Sequence, residues 1–158
     1  MLLYRITHTK YATGELYASG RSGRFNSEGR KVIYTAGSIS LALLENMVHS
    51  KGEGLEDLFR TLVIYAPEDI DVTAIAKKDL PAGWNSDHSY CHTQPIGDAW
   101  FDNATTAILR VPSAIVPQEY NYILNTEHPD FKKIITVDVL PLYADSRIDE
   151  LITKYQNK

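Results

Sequence analysis

The stretch KVIYTAGSISLALLENMVHS (31–50) decides the fold. KVIYT (31–35) is apolar and β-branched and reads as a strand. Ala36-Gly37 interrupts it, and Ser38 is suited to cap the helix SLALLENMVHS, which Lys51-Gly52 ends. The apolar residues of that helix cover most of its circumference, which predicts a buried element. Working outward, LLYRIT (2–7) is a strand joined to the second one by a long, irregular, polar connection. TLVIYA (61–66) and DVTAI (71–75) read as a strand pair joined through Pro67. Residues 77–98 carry Pro81, Gly83, Pro95 and Gly97 and read as a long loop. AWFDNATTAI (99–108) predicts a helix running into the strand ILRVPS. EYNYILN (119–125) and KKIITVDVL (132–140) are strands, and SRIDELITKY (146–155) is a C-terminal helix. Because strands and helices do not alternate regularly, the expected class is α+β, a mixed and mostly antiparallel sheet with flanking helices.

With 158 residues, 44% apolar and 23% charged, the chain is sized for a single domain over 1–158 with one buried core. Cys91 is its one cysteine, so no internal disulfide forms and nothing points to an oxidising compartment. MLLYRITHTK lacks the apolar core of a signal peptide, and no apolar run approaches the roughly 20 residues that span a bilayer. A cytoplasmic protein that does not engage membranes is expected.

Charge is unevenly distributed. The formal net charge is −4, yet residues 1–31 hold six Lys or Arg against two acids, so this segment is basic and the remainder strongly acidic. Nucleic-acid binding needs an extended basic face, which an acidic chain of pI about 5.7 does not offer. A compact basic corner suits one or two phosphates better. Within it, RSGRFNSEGRK (21–31) places Arg21, Arg24, Arg30 and Lys31 around Gly23 and Gly29, glycines that allow close backbone approach to another molecule and positive φ.

Arg24 is the candidate anion ligand, since a guanidinium fork matches phosphate, and Phe25 and Asn26 are placed to line the rest of a nucleotide pocket. A surface arginine in a turn satisfies the same spacing. Glu45 falls at the edge of the apolar arc of its helix, where a carboxylate can face a cleft, hold ribose hydroxyls and stabilise positive charge on the sugar. An exposed helix glutamate is the plainer reading. Tyr34 ends its strand just before that helix and is either a packing residue or an aromatic face for a planar base. Ser113 lies between Pro112 and Pro117, which are expected to prevent regular sheet pairing there; its hydroxyl is a positioned donor and not a nucleophile, for no G-x-S-x-G surrounds it. His88, Cys91 and His92 have the i, i+3, i+4 spacing of metal ligands, but the segment shows no helical context and a structural zinc needs a fourth ligand, so no metal is assigned.

Together SGRFN (22–26), VIYTAGSISLALLENMVH (32–49), GDAW (97–100), LRVPSAIVP (109–117) and NYILNTEHPDF (121–131) resemble the RES domain family over about residues 4–140. The resemblance implies a fold like ADP-ribosyltransferase catalytic cores. It also implies a bacterial toxin that depletes NAD by breaking the nicotinamide–ribose bond, with NAD as substrate and no prosthetic group. Matched by motif, Arg24, Tyr34, Glu45 and Ser113 take the family's catalytic positions, and Arg24, Phe25, Asn26, Tyr34 and Asn125 its binding positions. Ser22 and Phe25 depart from a G-G-R-W-N pattern, and Thr126 stands where proline is commoner. The implied partner is an Xre-type helix-turn-helix antitoxin that supplies DNA binding, with room for a homo-oligomer within that complex. ADP-ribosyl transfer to a protein, and a non-catalytic nucleotide-binding module, are the alternatives.

Overall fold

A computed structural model describes residues 1–49, 58–86, 90–143, 145–148 and 150. The strand and helix of the opening stretch form as β2 (Val32–Ala36) and α1 (Ile39–His49). Ser38 caps the helix: its Oγ accepts from Leu41 N at 3.1 Å and donates to Glu119 at 2.9 Å. Leu41 and Ala42 are buried, whereas Ile39, Leu44 and Val48 are exposed. The all-round apolar helix is therefore covered along one side, not enclosed.

β1 (Leu2–His8) pairs antiparallel with β2 and with β3 (Phe59–Tyr65). The other strands are β4 (Val72–Ala74), β5 (Ile108–Pro112), β6 (Tyr120–Asn125) and β7 (Ile135–Pro141). The seven form one sheet in the order β4-β5-β6-β2-β1-β3-β7, in which β4–β5 is the parallel pair. The expected pairing of 61–66 with 71–75 does not occur. β3 and β4 lie toward opposite ends of the sheet, because β3 has β1 and β7 for neighbours and β4 has β5. Pro112 also departs from expectation. It ends β5 opposite Tyr120, and Ser113 N carries the ladder one bond further to Glu119 O at 2.9 Å; a proline at a strand's last residue interrupts nothing downstream.

A second helix, α2 (Tyr90–Asp102), starts well before residue 99 and takes up the end of the expected 77–98 loop. Pro95 lies within it, which costs one backbone bond. Packing of Ile96 and Trp100 on Leu109, Val111 and Ile123 holds it regardless. Residues 146–148 are helical; the rest of the helix expected over 146–155 falls largely outside the described residues.

Alternation along the strands assigns the layers. Val32 and Tyr34 of β2 belong to the apolar cluster beneath α2, and Ala36 to the one beneath α1, so both helices cover one face. Ile33 points the other way into the largest cluster, with Leu3, Ile64, Ile108 and Leu124, which Leu16, Ile70, Phe131 and Ile134 cover. On that face a cleft opens between α1 and the 19–25 segment that α2 supports. Among the described residues no helix is long and apolar enough to cross a membrane.

Candidate active site

The cleft has a volume of about 670 Å³, within the range of small-molecule sites. One wall is α1, with Glu45, Asn46 and His49. The floor is β1 and β2, with Arg5 and Tyr34, and the far wall is the 19–25 segment with Arg21, Arg24 and Phe25. Glu45 and Arg24 thus share one cavity.

Glu45 is held from the sheet side. Its Oε1 accepts from Ser113 Oγ at 2.9 Å and from Asn121 Nδ2, and its Oε2 lies 3.6 Å from Nε2 of the largely exposed His49. Burial pushes this carboxyl up, but hydrogen bonds from His49, Asn121 and Ser113 outweigh that, so it titrates below its ordinary value and is ionised at neutral pH. Ser113 does not line the cleft. It is fully buried; its Oγ accepts from Ile115 N at 3.1 Å and Val116 N at 3.0 Å, and directs its proton at Glu45. Its hydroxyl is thus turned to the carboxylate and not into the cleft.

The opposite wall is built from backbone. Tyr34 Oη accepts from Phe25 N and donates to Asn26 Oδ1, both at 2.9 Å. Burial pushes the phenol far above its usual range, so this proton stays on. Gly23 sits against that hydroxyl: a Cβ there would meet it at 2.7 Å and Asn26 Oδ1 at 2.8 Å. The close approach read from the sequence is to the chain's own tyrosine. Gly29 has φ +93°, the left-handed conformation that glycine tolerates.

α2 cradles the same loop with residues that sequence reasoning missed. Thr93 Oγ1 donates to Arg24 O at 2.5 Å, Gln94 Nε2 to Gly23 O at 3.0 Å, and Asp98 accepts from Ser27 N at 2.8 Å. A Cβ on Gly97 would lie 1.8 Å from Phe25 O, so helix and loop touch backbone to backbone. Of the four cations, Arg30 is tied to Asp98 and Asp102, and Lys31 lies 3.8 Å from Glu127. Arg24 Nη1 donates to Trp84 O at 2.7 Å and Ser86 O at 2.9 Å, and the guanidinium stacks 4.8 Å from the Tyr90 ring. Arg21 and Arg24 face the cleft.

Two expected binding residues do not reach it. Asn26 is 1% exposed, with Nδ2 donating to Arg21 O and Ser27 O and Oδ1 accepting from Tyr34. Asn125 is equally buried and organises a turn, its Oδ1 accepting from Glu127 N. Both amides satisfy backbone, which one-dimensional spacing does not distinguish from a ligand contact. Contrary to the expectation of no helical context, Cys91 and His92 lie in the first turn of α2, where Cys91 is exposed; His88 lies outside the described residues.

The sequence reading also passed over Arg5. It stands on β1 with Nη1 on Tyr34 O at 3.1 Å, and burial pushes its pKa down. A desolvated guanidinium at a cleft draws an anion. Its sequence signal was a charge inside the apolar strand LLYRIT. His49 was detectable four residues after Glu45; Asn121 had no local signal.

The chain is a one-sheet α+β domain in which a fixed carboxylate faces arginines across a cleft. The particular family follows from comparison: the RES domain model matches residues 2–145, and the chain belongs to the RES domain family. It is 41% identical to "Toxin Res" of Photorhabdus laumondii over 94% of this chain and 97% of that one. It is 37% identical to the "Prs ADP-ribosylating toxin" of Sphingobium sp., covering 87% and 89%. A chain of the M. tuberculosis MbcT–MbcA toxin–antitoxin complex superposes with a TM-score of 0.74 at 16% identity, over 99% of this chain and 89% of that chain.

Proposed function

We propose that this chain is the toxin of a toxin–antitoxin pair and that it destroys NAD by breaking the nicotinamide–ribose bond. The observation that carries the reading is the ionised Glu45 in one cavity with Arg5, Arg21 and Arg24. The arginines suit a diphosphate. Nicotinamide in NAD is already a cationic leaving group, so the bond's electron pair moves to the ring nitrogen with no general acid. What needs stabilising is the positive charge left on the ribose, and a preorganised carboxylate supplies that. The lowered pKa serves this role, since a protonated Glu45 offers no charge. Water or phosphate then adds at the sugar carbon, water losing a proton to solvent.

Purified protein, shown to be folded and free of antitoxin, is incubated with NAD with and without phosphate. Release of free nicotinamide is expected, and dependence on phosphate separates phosphorolysis from hydrolysis. An intact NAD pool overturns the reading.

The relative named as an ADP-ribosylating toxin favours a second reading, in which ADP-ribose passes to a protein. NAD labelled in its adenine half then leaves label on a macromolecule. The partner we propose is an Xre-type helix-turn-helix antitoxin, supported by the likeness to a chain from a toxin–antitoxin complex. The acidic chain alone is expected to give no gel shift with DNA at physiological salt.

A further inference from the structure

Two polar atoms beside Glu45 have no partner: Asn46 Nδ2 and Asn121 Oδ1 are buried and unbonded among the described residues, and both side chains line the cleft. Which atom of Asn121 is left over is fixed by chemistry. Its Nδ2 donates to Glu45 Oε1, and flipping the amide would set two acceptors against each other. Asn46 follows Glu45 on α1, about 100° further round the helix, and its side chain lines the same cleft. A buried donor or acceptor without a partner is unfavourable, and such atoms in a cleft wall await a ligand's complement.

One spare donor and one spare acceptor match a primary carboxamide, which presents a carbonyl oxygen and an NH2 group. We propose that Asn46 and Asn121 read the carboxamide of the departing base, Asn46 Nδ2 donating to its carbonyl and its NH2 donating to Asn121 Oδ1. The inference rests on the NAD reading given above. Asn121 bonds the carboxylate assigned to the scissile sugar and Asn46 lines the same α1 wall, which puts them at the leaving base and not at the adenine. In the ligand-free arrangement both atoms are turned away from solvent, so the Asn46 amide turns outward as the base enters, while the Asn121 amide tilts its Oδ1 toward it with Nδ2 kept on Glu45 Oε1. A site that pairs a ligand's NH2 in this way rejects an isostere lacking it more strongly than a site judging size alone.

The test is a substrate series read as kcat/KM for base release. 3-Acetylpyridine adenine dinucleotide keeps the carbonyl and replaces NH2 by methyl; a dinucleotide with unsubstituted pyridine lacks both groups. Wild type is expected to prefer NAD over the acetyl form by about tenfold or more. Asn46→Leu is expected to cut the preference for NAD over the unsubstituted form about tenfold, with Asn46→Ser as a second variant should the first not fold. A purely structural Asn46 would depress both substrates by the same factor, and that result overturns the proposal. So does a wild type that releases nicotinamide yet does not discriminate against the acetyl form, a result that leaves the NAD reading standing. No release from any of the three removes the NAD reading and this inference with it.

Discussion

The two walls of the cleft are fixed by different means. On the α1 side a single carboxylate is held by side chains reaching from the sheet, Ser113 and Asn121, with His49 from its own helix. On the arginine side the backbone of residues 23–27 is held, by Tyr34 from below and Thr93, Gln94 and Asp98 from α2. One wall sets the charge and aim of a carboxylate. The other sets the shape of a loop from which arginines project. Substitutions on the first wall should change chemistry, and those on the second should change binding and stability.

The largest effect expected is from Glu45→Gln, which keeps the shape and removes the charge. Turnover of NAD should fall about a hundredfold or more while NAD binding, measured by calorimetry, stays near wild type. An equal loss of binding would erase the contrast between the walls. Gly97→Ala comes next. Its methyl cannot coexist with Phe25 O, so α2 and the loop separate, at a cost of about 3 kcal/mol in denaturant unfolding, with KM raised.

Ser113→Ala and Tyr34→Phe form a matched pair. Each deletes one hydroxyl and strands buried partners, Ile115 and Val116 amides in the first and Phe25 N with Asn26 Oδ1 in the second, at about 1–3 kcal/mol of stability. Their kinetics should differ. Glu45 titrates below its ordinary 4.5, so activity and the carboxylate's contribution to stability are present above that range and are lost as pH falls through the lowered value. Ser113→Ala removes one of the bonds that lower it, so the acid limb of kcat should move up. Tyr34→Phe should leave that limb in place and raise KM. The smallest effect is expected from Arg30→Ala, which loses pairs with Asp98 and the half-exposed Asp102. It should shift Tm least of the five and leave kcat unchanged.

Much of this was legible in one dimension where the determining contacts are local. Ser38 caps α1 through an amide three residues on, and the class followed from the order of strands and helices. The start of α2 was hidden because Pro95 and Gly97 read as breakers, while the contacts that outweigh them lie some seventy residues upstream at Phe25 and on the sheet at Leu109 and Ile123. Glu45 was legible as a carboxylate at the margin of an apolar arc. Asn26 and Asn125 misled because an asparagine turned inward to backbone looks, in sequence, like one turned outward to a ligand.

The sequence alone determined the strand-turn-helix unit, the α+β class and the excess of cations near the start of the chain, since propensity, capping and charge are properties of neighbours. Only the tertiary structure decided which of those cations face a cavity, that Ser113 aims Glu45 from behind it, and that Arg5 joins the site. Those facts depend on strand order. Placing β6 beside β2, and β2 beside β1, makes neighbours of residues as distant in sequence as Val32 and Asn125, and no local pattern encodes that choice.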